Sequence, residues 1–131
     1  MLGAAFTVLP ACGSTTDDPP ANNGGASGAP DATKGAAVYS SNCVSCHNTD
    51  AAGKEGPNIT MSVTAGIGSW TFEQFTAAVR TGKDKDGKTQ LCPLMTMFPE
   101  INDASMKDLY AYIKSKPISD VVNKGSYCGN L

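Results

Sequence analysis

Apolar residues in the second half of the chain recur at helical spacing. Met106, Leu109, Tyr110 and Ile113 fall on one stripe, which predicts a helix from about Asp103 to Ser115, and Pro117 bars much extension. A second stripe, Phe72, Phe75, Ala78 and Val79, follows Thr71-Phe72-Glu73-Gln74, where Thr and Gln are spaced to cap each other's backbone donors. That helix should start at Thr71 and stop at Gly82. Residues 34–46 predict a first helix with Thr33 as its N-cap. Gly35, Ala36 and Ala37 give it a thin face that another helix can approach closely. Gly56-Pro57-Asn58-Ile59 and Asp86-Gly87 read as turns. No alternating run predicts a strand, so the fold class is all-α, with three main helices and long loops.

The N-terminal part is patterned differently. Residues 13–33 are Gly, Pro, Asn, Ser and Asp with almost nothing apolar, and such a segment cannot offset its ordering entropy. A flexible tether of ~21 residues spans about 25 Å on average. Met1 to Ala11 is short and apolar, the length of a signal-peptide core, although it lacks the basic residues that usually precede one. The expected organisation is a signal-like segment over 1–11, a tether over 12–33 and one folded domain over 34–131.

Composition narrows the function classes. The chain of 131 residues has room for one domain. Its formal charge is −2 and it has no basic run, so nucleic acid is not an expected partner. No stretch approaches the roughly 20 apolar residues of a membrane-spanning helix. Three of the 12 acidic residues precede residue 34, which leaves the folded part nearly neutral.

Cys43-Val44-Ser45-Cys46-His47 carries the chemistry. Cys-x-x-Cys-His is the attachment sequence of a c-type haem, in which two thiols become thioethers and the adjacent imidazole reaches the iron. Residues three and four apart share one side of a helical turn, so Cys43, Cys46 and His47 can converge on one macrocycle. His47 is the one histidine in the chain. Two other readings use the same residues. A zinc site would need Cys92 and Cys128 as its second pair, yet these lie far apart. A thioredoxin-like dithiol should follow an apolar strand, whereas small, helix-forming residues precede this pair. Asp84-Lys85-Asp86-Gly87 has the opening of a calcium loop, but Met95 stands where a bidentate Glu is required.

Two resemblances extend this reading. Val8-Leu9-Pro10-Ala11-Cys12 resembles the lipobox of bacterial lipoproteins, which implies lipidation of Cys12. The alternative is a disordered tail with an incidental cysteine. With Cys12 lipidated and Cys43 and Cys46 on haem, Cys92 and Cys128 remain as a pair, and export favours a disulfide between them. Closing that loop of about 36 residues stabilises by roughly 3–4 kcal/mol.

Residues 34–116 resemble the class I cytochrome c family. The resemblance rests on the haem motif after a helix with Gly35 and Tyr39, the Gly56-Pro57-Asn58 loop, a distal Met, and Leu109-Tyr110-Ala111-Tyr112-Ile113 in the last helix. Arg80-Thr81-Gly82-Lys83 and Leu91-Cys92-Pro93-Leu94-Met95 are similar to the monohaem subunits and domains of bacterial dehydrogenases, except that Thr96 replaces the proline after the methionine. The resemblance implies a small cytochrome c fold around one covalent haem c. It also implies close crossing of the first and last helices, through Gly35 or Ala36 against Tyr110 or Tyr112.

His47 is the implied proximal iron ligand, with Pro57 on its side. Met95 is the implied distal ligand and Met97 the alternative. Tyr39 and Trp70 are candidates for haem contact, with core packing the competing role for both. The expected function is one-electron transfer between a donor and an acceptor redox protein at the periplasmic or outer-membrane face, with membrane contact through the lipid alone. No catalytic residue and no small-molecule substrate are expected. A subunit of a larger dehydrogenase or oxidase complex, and a haem sensor or peroxidase with an open distal site, are the alternatives. Arg80, Lys83, Lys85 and Lys88 could steer an acidic partner, but Asp84 and Asp86 interleave with them.

Overall fold

The computed structural model describes residues 28–126. The signal-like segment, most of the tether, Cys12 and Cys128 lie outside the described residues, and so does the Cys128 end of the expected disulfide. Four helices are present among the described residues: α1 Ala32–Asn42, α2 Val44–His47, α3 Phe72–Thr81 and α4 Asp103–Lys114. The only ladder pairing among them is an isolated antiparallel bridge between Lys83 and Gln90, flanking the Asp86-Gly87 turn, where Gly87 has φ 69°.

The ends of α3 follow local chemistry. Thr71 and Gln74 form a capping box, and Gly82 closes the helix in the left-handed region at φ 66°. Asn102 caps α4 by accepting from Ser105 N–H, and Lys114 falls in its last turn. The first helix differs from expectation in two ways. Asp31, not Thr33, is its N-cap, with its side chain accepting from Thr33 and Lys34 N–H. The Asp31 N–H also donates to Asp108 Oδ1 at 2.7 Å, so the folded domain begins about three residues before the expected boundary. The helix also breaks at Cys43, whose φ of −117° is stretched well beyond the helical ideal while its ψ of −32° stays right-handed, and Val44 to His47 restart as a single turn.

α1 and α4 pack at van der Waals closeness. A Cβ on Gly35 would overlap the Asp108 carbonyl and stand 2.9 Å from Leu109 N. Gly35 is therefore the small residue of the crossing, against the backbone of Asp108 and Leu109. Four residues on, the Tyr39 and Tyr112 rings meet with centroids 5.3 Å apart. Met106, Leu109 and Ile113 of α4 are buried with Tyr39, Phe75, Val79 and Ile101 in one core. Tyr110, placed by the sequence on the same stripe, is only half-buried and covers Phe72 and Phe75 with ring distances of 5.4 and 5.0 Å. Arg80 ties the end of α3 to the start of α4, donating to Ile101 O and to Asp103 Oδ1, each at 2.7 Å from Nη2.

Candidate functional site

Cys43, Cys46 and His47 open onto one cleft of about 260 Å³, with Pro57, Asn58 and Ile59 continuing its wall. Phe75, Ala78 and Val79 of α3 and Leu109 and Ile113 of α4 line its depth. Leu91, Leu94, Met95 and Phe98, from the segment after α3, complete its lining. The cleft therefore gathers two thiols, an imidazole and a thioether around a lining that is otherwise mostly hydrocarbon.

The break at Cys43 builds the motif face. Cys43 N–H donates to Tyr39 O at 2.8 Å, and Cys46 and His47 N–H both return to Cys43 O, at 3.2 and 2.9 Å. This turn brings the two sulfurs and the imidazole to the same opening. Both thiols are free. Burial, together with neighbouring Cys46, pushes the Cys43 thiol up to about 11.

His47 is 8 % exposed, and its Nδ1 lies 2.8 Å from the Pro57 carbonyl oxygen. A carbonyl can only accept, so Nδ1 carries the proton, and the lone pair of a neutral ring stands on Nε2. Burial lowers the His47 pKa, opposed by the bond to Pro57, so the ring is held neutral at ordinary pH. Gly56 lies against the ring: a Cβ there would be 2.9 Å from His47 Cε1 and 3.1 Å from Nδ1. An imidazole fixed at Nδ1 with Nε2 free, two unpaired thiols at its side and an apolar slot beyond are the donor set a covalent haem requires.

The structure separates the residues that the sequence grouped. Met95 lines the cleft, whereas Met97 does not and is 53 % exposed. Pro57 and Trp70 also line it. Tyr39 does not: its hydroxyl donates to Asn48 O at 2.6 Å and its ring packs on Tyr112, so it supports the motif turn from behind. Desolvation raises its pKa further above the ordinary phenol range.

The sequence reading did not find Asn58. It is 3 % exposed, and its Oδ1 accepts from Thr60 N–H at 2.9 Å and from Thr60 Oγ1 at 2.8 Å. Only its neighbourhood, the Gly-Pro-Asn turn, was visible.

The family model for cytochrome c matches residues 32–117. A nicotinate dehydrogenase chain of Pseudomonas putida is 46% identical over 61 residues, covering 45% of this chain and 5% of that protein. The fructose dehydrogenase cytochrome subunit of Gluconobacter japonicus is 46% identical over 65 residues, 47% of this chain and 13% of that one. The cytochrome c subunit of the quinone alcohol dehydrogenase of Gluconacetobacter polyoxogenes is 38% identical over 95 residues, 59% and 20% respectively. The chain thus spans a fifth or less of the length of these relatives. Among solved structures, a dihydro-haem d1 dehydrogenase shares the fold with a TM-score of 0.50 at 24% identity, over 64% of this chain and 16% of that one.

Proposed function

Since the chain belongs to the cytochrome c family, we propose that it is a monohaem electron carrier of the cell envelope, exchanging single electrons between a donor and an acceptor protein. The observation that supports this reading is the cleft itself, which Cys43, Cys46, His47 and Met95 all line. Haem c, when bound, supplies the one-electron Fe(III)/Fe(II) couple.

The chain's own residues do the rest. Cys43 and Cys46 would hold the haem as thioethers. His47 offers Nε2 while Pro57 O holds its other nitrogen. Met95 offers its sulfur from the distal loop, and a thioether there favours the reduced state over bis-histidine ligation. Phe75, Val79, Leu109 and Ile113 keep water from the slot. With His47 and Met95 both holding the iron, the protein would have no need of a substrate pocket. Sequence patterns support the remaining parts of the reading: export, lipid on Cys12, and a Cys92–Cys128 bridge that pins the C-terminus beside the Met95 loop.

Met95→Ala and Met97→Ala test the distal assignment. In the haem-loaded protein, Met95→Ala makes the reduced iron reactive toward carbon monoxide and Met97→Ala leaves it inert. The opposite pair of results removes Met95 from the site.

A second reading is favoured by the identity to dehydrogenase cytochrome subunits. Here the chain accepts electrons from a dehydrogenase to which it stays bound. Its haem chemistry is the same, and stable co-purification with a dehydrogenase would distinguish it from a free carrier.

A further inference from the structure

Beyond Pro117, where the family match ends, residues 118–126 run as an irregular strap along the loop behind His47. The strap turns its backbone inward. Ser119 O and Val121 O accept from Asn58 Nδ2 at 2.7 and 2.9 Å, and Asn123 O accepts from the Asn58 N–H at 2.8 Å. Ser119 N–H donates to Thr60 Oγ1 at 3.2 Å, and Ser62 Oγ donates to Asp120 Oδ1 at 2.6 Å. Farther along, Gly125, with φ 80°, lies on Gly56, where an added Cβ would stand 2.6 Å from Gly56 C. Gly56 in turn lies on the His47 ring.

A single peptide group joins strap to histidine. The Pro57 carbonyl accepts from His47 Nδ1–H, and the N–H of that same peptide belongs to Asn58 and donates to Asn123 O. Hydrogen bonds in such a chain polarise one another, so the bond from Asn58 N–H makes the Pro57 oxygen a stronger acceptor. A ligand histidine whose outer N–H meets a stronger acceptor is more basic and is fixed in orientation.

We propose that the strap is a positioning and tuning element for His47: Asn58 and Asn123 O hold and polarise the Pro57–Asn58 peptide, which orients the imidazole and lowers the reduction potential of the haem-loaded protein. The proposal rests on His47 as the axial ligand. A more electron-rich imidazole favours ferric iron, so releasing the strap raises the potential.

The test compares haem-loaded full-length protein with Asn58→Ala and Gly125→Ala, and with Val122→Thr, at an exposed position of the strap, as control. Midpoint potentials are measured by spectroelectrochemistry, and exchange of the Asn58 amide and His47 Nδ1 protons by NMR of the reduced protein. Asn58→Ala, which loses the side-chain bonds to Ser119 O and Val121 O, and Gly125→Ala, which pushes the strap off Gly56, are each expected to shift the reduced-to-oxidised ratio two- to fivefold at fixed ambient potential, about 20–40 mV upward at 59 mV per tenfold for one electron. Val122→Thr stays at the unmodified value. Unchanged potentials alongside a freely exchanging Asn58 amide would overturn the proposal. If the variants do not fold, the unmodified protein decides. Its Asn58 amide and His47 Nδ1 protons should open together, and a His47 proton that stays protected while the Asn58 amide exchanges freely overturns the strap's role. Failure of the ligand assignment looks different: the unmodified protein then lacks a low-spin spectrum from the start, and the strap proposal falls with it.

Discussion

Replacing Gly35 with alanine sets two effects of opposite sign against each other. Alanine in a helix interior is favoured over glycine by about 1 kcal/mol, so propensity alone predicts a more stable protein. At the α1–α4 crossing the new methyl would overlap the Asp108 carbonyl and sit 2.9 Å from Leu109 N. Both obstacles are backbone, so no rotamer change relieves them and α4 must move as a unit. Overpacking of this kind costs typically about 1–3 kcal/mol and occasionally more, and here it is the dominant effect because Leu109 and Ile113 also line the cleft. With the methyl in severe overlap with the Asp108 carbonyl, the overpacking cost falls in the upper part of that range, about 2–3 kcal/mol. The expected net change is therefore destabilisation of about 1–2 kcal/mol, or roughly 4–16 °C in Tm for a domain near 100 residues. Denaturant unfolding of the haem-loaded protein, with Ala37→Gly as an exposed control in the same helix, measures it. Ala37→Gly should lose about 1 kcal/mol through propensity alone. A Gly35→Ala protein as stable as the parent, or more so, would refute the close crossing.

Three further outcomes follow from the same structure. Changing Cys43 and Cys46 to Ala should leave a chain that no longer melts cooperatively near the holo temperature. Burying even ~300 Å² of porphyrin at about 25 cal/mol per Å² gives roughly 7 kcal/mol, comparable with the whole stability of a typical domain, about 5–15 kcal/mol. Circular dichroism melts of the apo variant check this. The Arg80 hydrogen bond and charge hold the Asp103 carboxyl below its ordinary 3.8. That group therefore contributes stability above pH about 3.8 and loses it as pH falls through the depressed folded value. Asp103→Asn should flatten that part of the acid limb in chemical unfolding, and an unchanged limb would remove Asp103 from it. Glu55 lines a smaller neighbouring cavity with Cys46, His47 and Gly56 and pairs with Lys54 Nζ at 3.4 Å. Replacing it with Gln removes a negative charge near the motif and should raise the midpoint potential. An unchanged or lower potential argues against that charge acting on the site.

The parts of the fold legible in the sequence are those fixed by neighbours along the chain. Thr71 and Gln74 announce the start of α3, Gly82 its end, and Pro117 bounds α4, because caps and breakers act within a few residues. The start of α1 was not legible, since Asp31 and Thr33 are both competent caps. The bond from Asp31 N–H to Asp108, 77 positions away, favours the earlier one. The bend at Cys43 was hidden for a similar reason: nothing local forbids a helix continuing through Cys43.

At the site, the haem motif could be read because its spacing is its chemistry. Tyr39 could not be placed, since the sequence does not say that its hydroxyl meets Asn48 O rather than the cleft. The strap was invisible altogether. Residues 118–126 show no helical or strand period, and their role depends on Asn58, about 60 positions earlier.

The most direct test of the account is an optical spectrum of the matured protein, oxidised and reduced, with carbon monoxide added to the reduced form after checking that the haem resists solvent extraction. Sharp reduced c-type bands indifferent to carbon monoxide, from a haem that stays with the chain, are the predicted result, for an iron held by His47 and a methionine. Extractable haem, or immediate carbon monoxide binding by the unmodified protein, would contradict it.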